Sequence, residues 1–420
     1  FQAEDGIRDV ERSRGLGDVY KRQVRRQLLQ QAERLGVVRA LQKAGASPGD
    51  RIRCGRLEGP LVDISATEVR RRLREGQPVE GLLPPAVDTP EARRLVAVLR
   101  DIPWHEKRAR KAELDEATRK LAAMGDGIIR PLMAQLNEPG QSSAFRRRAI
   151  AVLQALGTSL AQRQLLDIAL GRTNVTKEQT SWGARAYVAT LKDKRAAAPL
   201  LGSARADVQN LALLTLKGQS VDGALLPRLA GLLASDNEAV RWAAAGVLGK
   251  DPESGHVADK VAALVAAAER TSNMANGKQT YPRSHFTRAE MDYAAYIRAL
   301  AEMRDGGNAL EAAASKAKGM ARHVVAIARG RRGDAAARAG LRAVLDDPTA
   351  GLLRMWAAQA LGAVGTTSDV PALERAAKSD PLRREYPPSR GSEAPQAFYP
   401  VRGAAQAAIK VIRSRTAEGN

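Results

Sequence analysis

The chain repeats one motif, VRWAAAGVLG at residues 240–249. Later copies have the sequences LRMWAAQALG at 353–362 and VRGAAQAAI at 401–409, and an earlier copy has RAIAVLQALG at 148–157. Apolar residues recur in each copy with the spacing of an amphipathic helix, and the many alanines allow neighbouring helices to approach closely. Self-similarity of this kind predicts an array of stacked helical repeats.

A second apolar helix precedes the motif and often begins near a proline, as at Pro131, Pro199, Pro227 and Pro371. A turn that contains aspartate, such as 235–237, separates the two helices. Each helix pair cannot bury its apolar side alone, so neighbouring pairs must stack to form a continuous core.

The order of apolar helix, aspartate turn and alanine-rich helix resembles HEAT repeats. We expect an all-α fold, an α-solenoid of about seven or eight HEAT-like pairs over residues 89–415, with a short tail at 416–420. Thr89, Pro90 and Glu91 have the order of a capped helix start. Gly157, Gly249 and Gly362 are expected to cap the C-termini of second helices.

The resemblance to HEAT repeats implies a non-enzymatic scaffold that binds a protein partner on the concave face of the solenoid. The residues indicate the same class, because no acid, base, nucleophile or metal-ligand constellation is evident in the sequence. We therefore expect no catalytic residue, no metal and no cofactor.

Positive charge favours a second class of partner. The formal net charge is +21, of which +17 falls on residues 89–420. A basic solenoid could bind nucleic acid, and a single basic stripe with strongly salt-dependent binding would support that alternative.

Cysteine content and hydropathy give weaker indications. Cys54 is the single cysteine, which excludes an intramolecular disulfide and fits a reducing compartment, with the cytoplasm favoured. No run of about 18 apolar residues is present, so we expect no membrane-spanning helix.

The first 23 residues resemble translated sequencing adapter. QAEDGIRD at 2–9 matches the coding of a flow-cell adapter, and SRGLGDVYKRQ at 13–23 matches that of a transposase adapter. Residues 10–12 then occupy the place of a sample index. We expect residues 1–23 to be an adapter-derived scar outside any native fold.

Residues 24–58 resemble the C-terminal domain of Obg-family GTPases, through RLGVVRAL at 34–41 and PGDRIR at 48–53. GTPase activity does not follow from this resemblance, because the chain has no phosphate-binding loop of the GxxxxGK[ST] type. The nearest candidate, Gly277-Lys278, is followed by Gln279.

Residues 57–88 resemble the C-terminal end of nicotinate-nucleotide adenylyltransferases. The matching stretches are PLVDISATEVRRRLREG at 60–76 and LLPPAV at 82–87. The resemblance implies that Ser65, Thr67 and Arg70 are vestigial contacts to ATP phosphates at a helix N-terminus. The family's N-terminal histidine motif is absent, so we expect no NAD-biosynthetic activity, although adenylyl transfer remains an alternative by resemblance.

Residues 24–88 thus combine fragments of two enzymes. We expect them to form a small, weakly packed appendage, because an adenylyltransferase tail normally buries its apolar residues against a sheet that this chain lacks.

Tryptophan and acidic residues within the array are interpreted as structural. Trp104, Trp182, Trp242 and Trp356 are expected to pack in the core or between repeats. Glu290 and Asp292 are expected on alternate faces of one helix.

Overall fold

The computed structural model describes residues 89–173, 176–272, 286–386 and 396–418. All of these fall in the second of the two units into which the chain divides, Pro85–Asn420. The predicted adapter, GTPase-like and adenylyltransferase-like segments at 1–23, 24–58 and 57–88 lie outside the described residues.

The described residues form an all-α solenoid, as the sequence predicted. Its α-helices, in chain order, are α1 Pro90–Asp101, α2 Lys111–Ala123, α3 Ile129–Asn137, α4 Ser143–Leu156, α5 Ser159–Ala169, α6 Lys177–Thr190, α7 Ala206–Leu216, α8 Leu226–Leu232, α9 Glu238–Gly249, α10 Val257–Ser272, α11 Arg288–Glu302, α12 Gly307–Lys316, α13 Gly319–Arg331, α14 Arg338–Asp346, α15 Leu353–Val364, α16 Val370–Ser379 and α17 Pro400–Glu418.

These helices form nine pairs within the described residues, more than the seven or eight that the motif predicted. In the fourth pair the first helix is a 3₁₀ segment, Lys194–Gly202, with Pro199 inside it. The second members of the pairs, here called the B helices, are α2, α4, α6, α7, α9, α11, α13, α15 and α17. Every B helix packs on its own first helix, and each of the first eight also packs on the next B helix. The sequence of α2, KAELDEATRKLAA, lacks the alanine-rich motif, which made the first pair hard to recognise.

The start of the array has the predicted cap. Thr89 precedes α1, and its Oγ1 accepts a hydrogen bond from Ala92 N at 3.1 Å. Pro90 occupies the first turn, where its missing N–H leaves no helical hydrogen bond unmade.

Three glycines were predicted to cap the C-termini of B helices. One does so, whereas the other two lie within helices and allow neighbouring B helices to touch. Gly157 does follow α4 in the left-handed conformation, with φ of 61°. Gly249 is instead the last residue of α9, before the C-cap Lys250, and an added Cβ there would stand 2.5 Å from Cα of Ala299 in α11. Gly362 lies inside α15, and its Cβ would stand 3.3 Å from Cα of Ala408 in α17. The last two glycines permit close helix approach.

Buried charges connect successive pairs across the B helices. Arg241 in α9 donates to Asp292 in α11, with Nε 3.1 Å from Oδ2, and both side chains are almost fully buried. Arg354 in α15 pairs with Asp380 after α16, with Nη1 2.9 Å from Oδ2. Such pairs fix how one repeat sits on the next, because a buried charge requires its partner.

A short hairpin separates α16 from α17. Its strands, β1 Arg384–Tyr386 and β2 Gln396–Phe398, pair antiparallel with Arg384 opposite Phe398. Arg384 Nη2 lies 2.7 Å from Oε1 of Glu290 in α11. The hairpin is therefore tied to a helix three pairs earlier in the chain.

Candidate interaction surface

The predicted phosphate contacts Ser65, Thr67 and Arg70 lie outside the described residues, so this surface is built without them. Within the described ranges, no cluster of three or more His, Cys, Asp and Glu side chains has a metal-binding arrangement. A search of the same ranges finds no helix with the length and hydropathy needed to cross a bilayer.

Each B helix from α4 to α15 carries a stripe of side chains that stay exposed or half-buried between its buried positions. We call these stripes together the B-helix face. Its members, from α4 to α15, are Arg147, Trp182, Arg185, Leu214, Trp242, Arg298, Arg322 and Gln359. Because consecutive B helices pack side by side, the stripes form a continuous surface.

Apolar side chains lie on three consecutive B helices of this face, α6, α7 and α9. We call Trp182, Leu211, Leu214 and Trp242 together the apolar strip. Leu214 in α7 is 58% exposed, and Leu211, one turn earlier, is half-buried. Trp182 in α6 and Trp242 in α9 are half-buried on the two neighbouring B helices. Leu214 is thus exposed on a helix that packs between two tryptophan-bearing helices, and tryptophan is one of the residues enriched at protein interfaces.

Trp242 is held in place by the buried ion pair beneath it. Its indole Nε1 donates to Oδ1 of Asp292 at 2.7 Å. Burial raises the pKa of Asp292, and hydrogen bonds from Arg241 and Trp242 oppose that shift. One carboxylate therefore orients both the arginine that joins α9 to α11 and the tryptophan at the surface.

Glu290 and Asp292 lie on different sides of α11, as expected, but each links that helix to another repeat. Asp292 pairs with Arg241 of the preceding pair. Glu290 accepts from Leu352 N at 3.2 Å and from Arg384, both later in the chain. The sequence analysis placed the two residues on one helix but did not find their partners, which lie 51 to 94 residues away in the sequence.

The first two pairs and α6 bring a second aromatic cluster to the surface. Trp104 lies in a 3₁₀ turn after α1 and is 52% exposed. The guanidinium carbon of Arg147 in α4 lies 5.5 Å from the centroid of Trp104 and 5.4 Å from that of Trp182. Lys107 Nζ lies 4.7 Å from the Trp104 centroid. We call these four residues the Trp–Arg cluster.

We predicted that all four tryptophans pack in the core or between repeats. The prediction is right for Trp356 and wrong for Trp104. Trp356 is 7% exposed and packs in the core, as predicted. Trp104 is exposed, because the 3₁₀ turn that carries it projects from the end of α1 instead of continuing a buried helix. Trp182 and Trp242 are intermediate and reach both core and surface.

Several cationic side chains on the B-helix face, together with Lys217 directly after α7, have no acidic partner among the described residues. Arg185, Lys217, Arg298 and Arg322 make no ion pair with any other described residue. On the same helices, Asp207 pairs with Arg205 at 3.0 Å and Glu302 with Lys250 at 3.8 Å, whereas Glu178 on α6 is exposed and pairs with no described residue. The named members of the B-helix face therefore include four arginines and no acidic residue.

Comparison with known families gives one match. A family model described as HEAT repeats matches residues 307–385, which extend from α12 into β1. The predicted resemblance is thereby confirmed for that part of the chain, less than one fifth of its length. No curated protein matches the chain. The resemblances of residues 1–88 remain predictions.

Proposed function

We propose that residues 89–415 are a non-enzymatic scaffold that binds a protein partner along the B-helix face. The observation that carries this proposal is the exposed Leu214 on α7, a B helix that packs against α6 and α9, which carry the half-buried Trp182 and Trp242. Exposing a leucine to water forgoes about 2 kcal/mol of burial free energy. A partner that covers the strip recovers that free energy, and aromatic and arginine side chains are the residues that most often dominate protein interfaces.

The HEAT match supports the same class of function, because helical repeat arrays provide long surfaces for binding proteins. The proposal includes the predicted location of the partner, which is the concave face of the solenoid. The stacking of the B helices supports it by joining their exposed stripes.

A peptide-display selection on the full chain tests the proposal. Selected peptides should lose binding to a Leu214→Arg variant, because the substitution places a charge in the apolar strip. The matched control is Val411→Arg, since Val411 is also exposed, at 46%, but lies in α17, the last helix, outside the named members of the B-helix face. Peptides that bind the Leu214 variant as well as the unaltered protein would contradict the proposal.

Nucleic-acid binding is a second candidate, favoured by the unpaired cations Arg185, Lys217, Arg298 and Arg322. A nucleic-acid ligand would give an affinity that falls steeply with salt, by about one power of the salt concentration for each phosphate contacted. Titration of duplex and single-stranded DNA at rising salt distinguishes the two. Binding of DNA that weakens steeply as salt rises would favour nucleic acid over a protein partner.

A further inference from the structure

The Trp–Arg cluster joins three successive repeats at one exposed point. Trp104 comes from the turn between α1 and α2, Arg147 from α4 and Trp182 from α6. Arg147 is exposed, yet its guanidinium lies over the indole rings of both Trp104 and Trp182. Cation–π contacts of this kind fix the plane of the guanidinium without using its N–H groups.

Those N–H groups have no acceptor in the described residues, where Arg147 makes neither an ion pair nor a side-chain hydrogen bond. The indole N–H of Trp182 likewise donates to no described residue, in contrast to that of Trp242. The cluster therefore offers several oriented donors at the surface, and charge-assisted bonds from arginine to carboxylate are among the strongest that proteins make.

The surroundings of the cluster are positive. Lys107, Arg108, Lys177 and Arg185 are exposed and form no ion pair with another described residue. Of the acids close to it in the chain, Glu106 lies 3.7 Å from Arg110, and Glu178, one turn before Trp182 on α6, is the exposed acid that these cations outnumber. Charge complementarity thus selects an anionic partner.

Two features favour carboxylates over nucleobases. Lys107 and Arg147 both lie over the Trp104 ring, so a base that stacked there would displace a cation, whereas a carboxylate reaches the edge of the guanidinium without doing so. In addition, the apolar strip around Leu214 begins on α6, the helix that carries Trp182. A peptide can place acidic side chains on the cluster and apolar ones on the strip.

We propose that the Trp–Arg cluster is the docking site for an acidic peptide segment whose apolar residues continue along the strip towards Leu214. This inference rests on the proposed function and names its partner chemistry. The carboxylates bind Arg147 and Lys107, and the indole N–H of Trp182 supplies a further donor.

The test uses the full chain and a short fluorescein-labelled peptide of alternating acidic residues and leucine. The matched peptide has Gln and Asn in place of Glu and Asp, and a labelled single-stranded oligonucleotide serves as the third ligand. Fluorescence anisotropy should show tighter binding of the acidic peptide than of either other ligand, by about tenfold or more. Quenching or enhancement of tryptophan fluorescence should accompany it.

Variants locate the site. Arg147→Ala and Trp104→Ala should each weaken binding of the acidic peptide by about tenfold. The control is Arg163→Ala, because Arg163 is an exposed arginine without an ion pair on α5, a first helix. Circular dichroism checks that the variants keep their helical content.

Three results would overturn the inference: equal binding of the amide peptide, preference for the oligonucleotide, or equal loss with Arg163→Ala. Failure of this inference can be distinguished from failure of the proposed function. If display-selected peptides still depend on Leu214, the scaffold proposal stands and only the acidic partner is ruled out.

Discussion

Arg241 in α9 and Asp292 in α11 form a buried ion pair, with Nη2 of the arginine 2.9 Å from Oδ2 of the carboxylate. The pair joins two successive repeats and also receives the indole N–H of Trp242. Asp292→Asn keeps the shape of the side chain but leaves the guanidinium without a counter-ion. We expect a loss of about 3–5 kcal/mol in the free energy of unfolding, measured by urea denaturation.

The control for this prediction is an exposed pair in the same chain. Glu374 lies 2.6 Å from Arg413, and both side chains are more than half exposed. Glu374→Gln should cost less than about 1 kcal/mol, because water screens the pair. Equal losses in the two variants would mean that burial at Asp292 does not determine the stability of the array.

Gly249 and Gly246 provide a matched pair within one helix. A Cβ on Gly249 would stand 2.5 Å from Cα of Ala299, whereas a Cβ on Gly246 would meet only Lys217 Cε at 3.9 Å. Gly249→Ala should therefore force α9 and α11 apart and destabilise the protein by about 1–3 kcal/mol. Gly246→Ala should stabilise it by up to about 1 kcal/mol, since alanine is the better helix former.

Thermal unfolding followed by circular dichroism measures both substitutions. A higher melting temperature for Gly249→Ala than for the unaltered protein would show that this contact between α9 and α11 is looser than described.

These two glycines show what the sequence could and could not predict. The alanine-rich motif predicted B helices, and Thr89-Pro90 predicted the start of α1, because both signals are local. A glycine near the end of a helix has the same local pattern whether it caps the helix or admits a neighbour. Only the packing of α9 on α11 separates the two cases.

The candidate surface was less predictable for a related reason. Asp292 and Arg241 are 51 residues apart, and Trp104, Arg147 and Trp182 come from three repeats. Their proximity depends on how the repeats stack, which one sequence does not reveal. The basic charge of the array was evident from composition, but the exposure of Leu214 on α7 was not.

The adenylyltransferase resemblance of residues 57–88 leads to a negative prediction. Ser65, Thr67 and Arg70 match the family's phosphate-binding stretch, but the histidine motif needed to position the reacting phosphate is absent from the sequence. Purified protein mixed with ATP and nicotinate mononucleotide should therefore release no pyrophosphate above background. Pyrophosphate release that depends on both substrates would restore the enzyme alternative.

Site-specific photo-crosslinking tests most directly whether the B-helix face is the binding surface. A photoreactive phenylalanine analogue is placed at Leu214 in one full-length variant and at Val411 in another, both sites being exposed. Each variant is irradiated with the peptide that the display selection yields, and adducts are measured by mass spectrometry. The scaffold account predicts adducts at position 214 and few at 411. Adducts at 411 alone, or at equal levels at both positions, would contradict it.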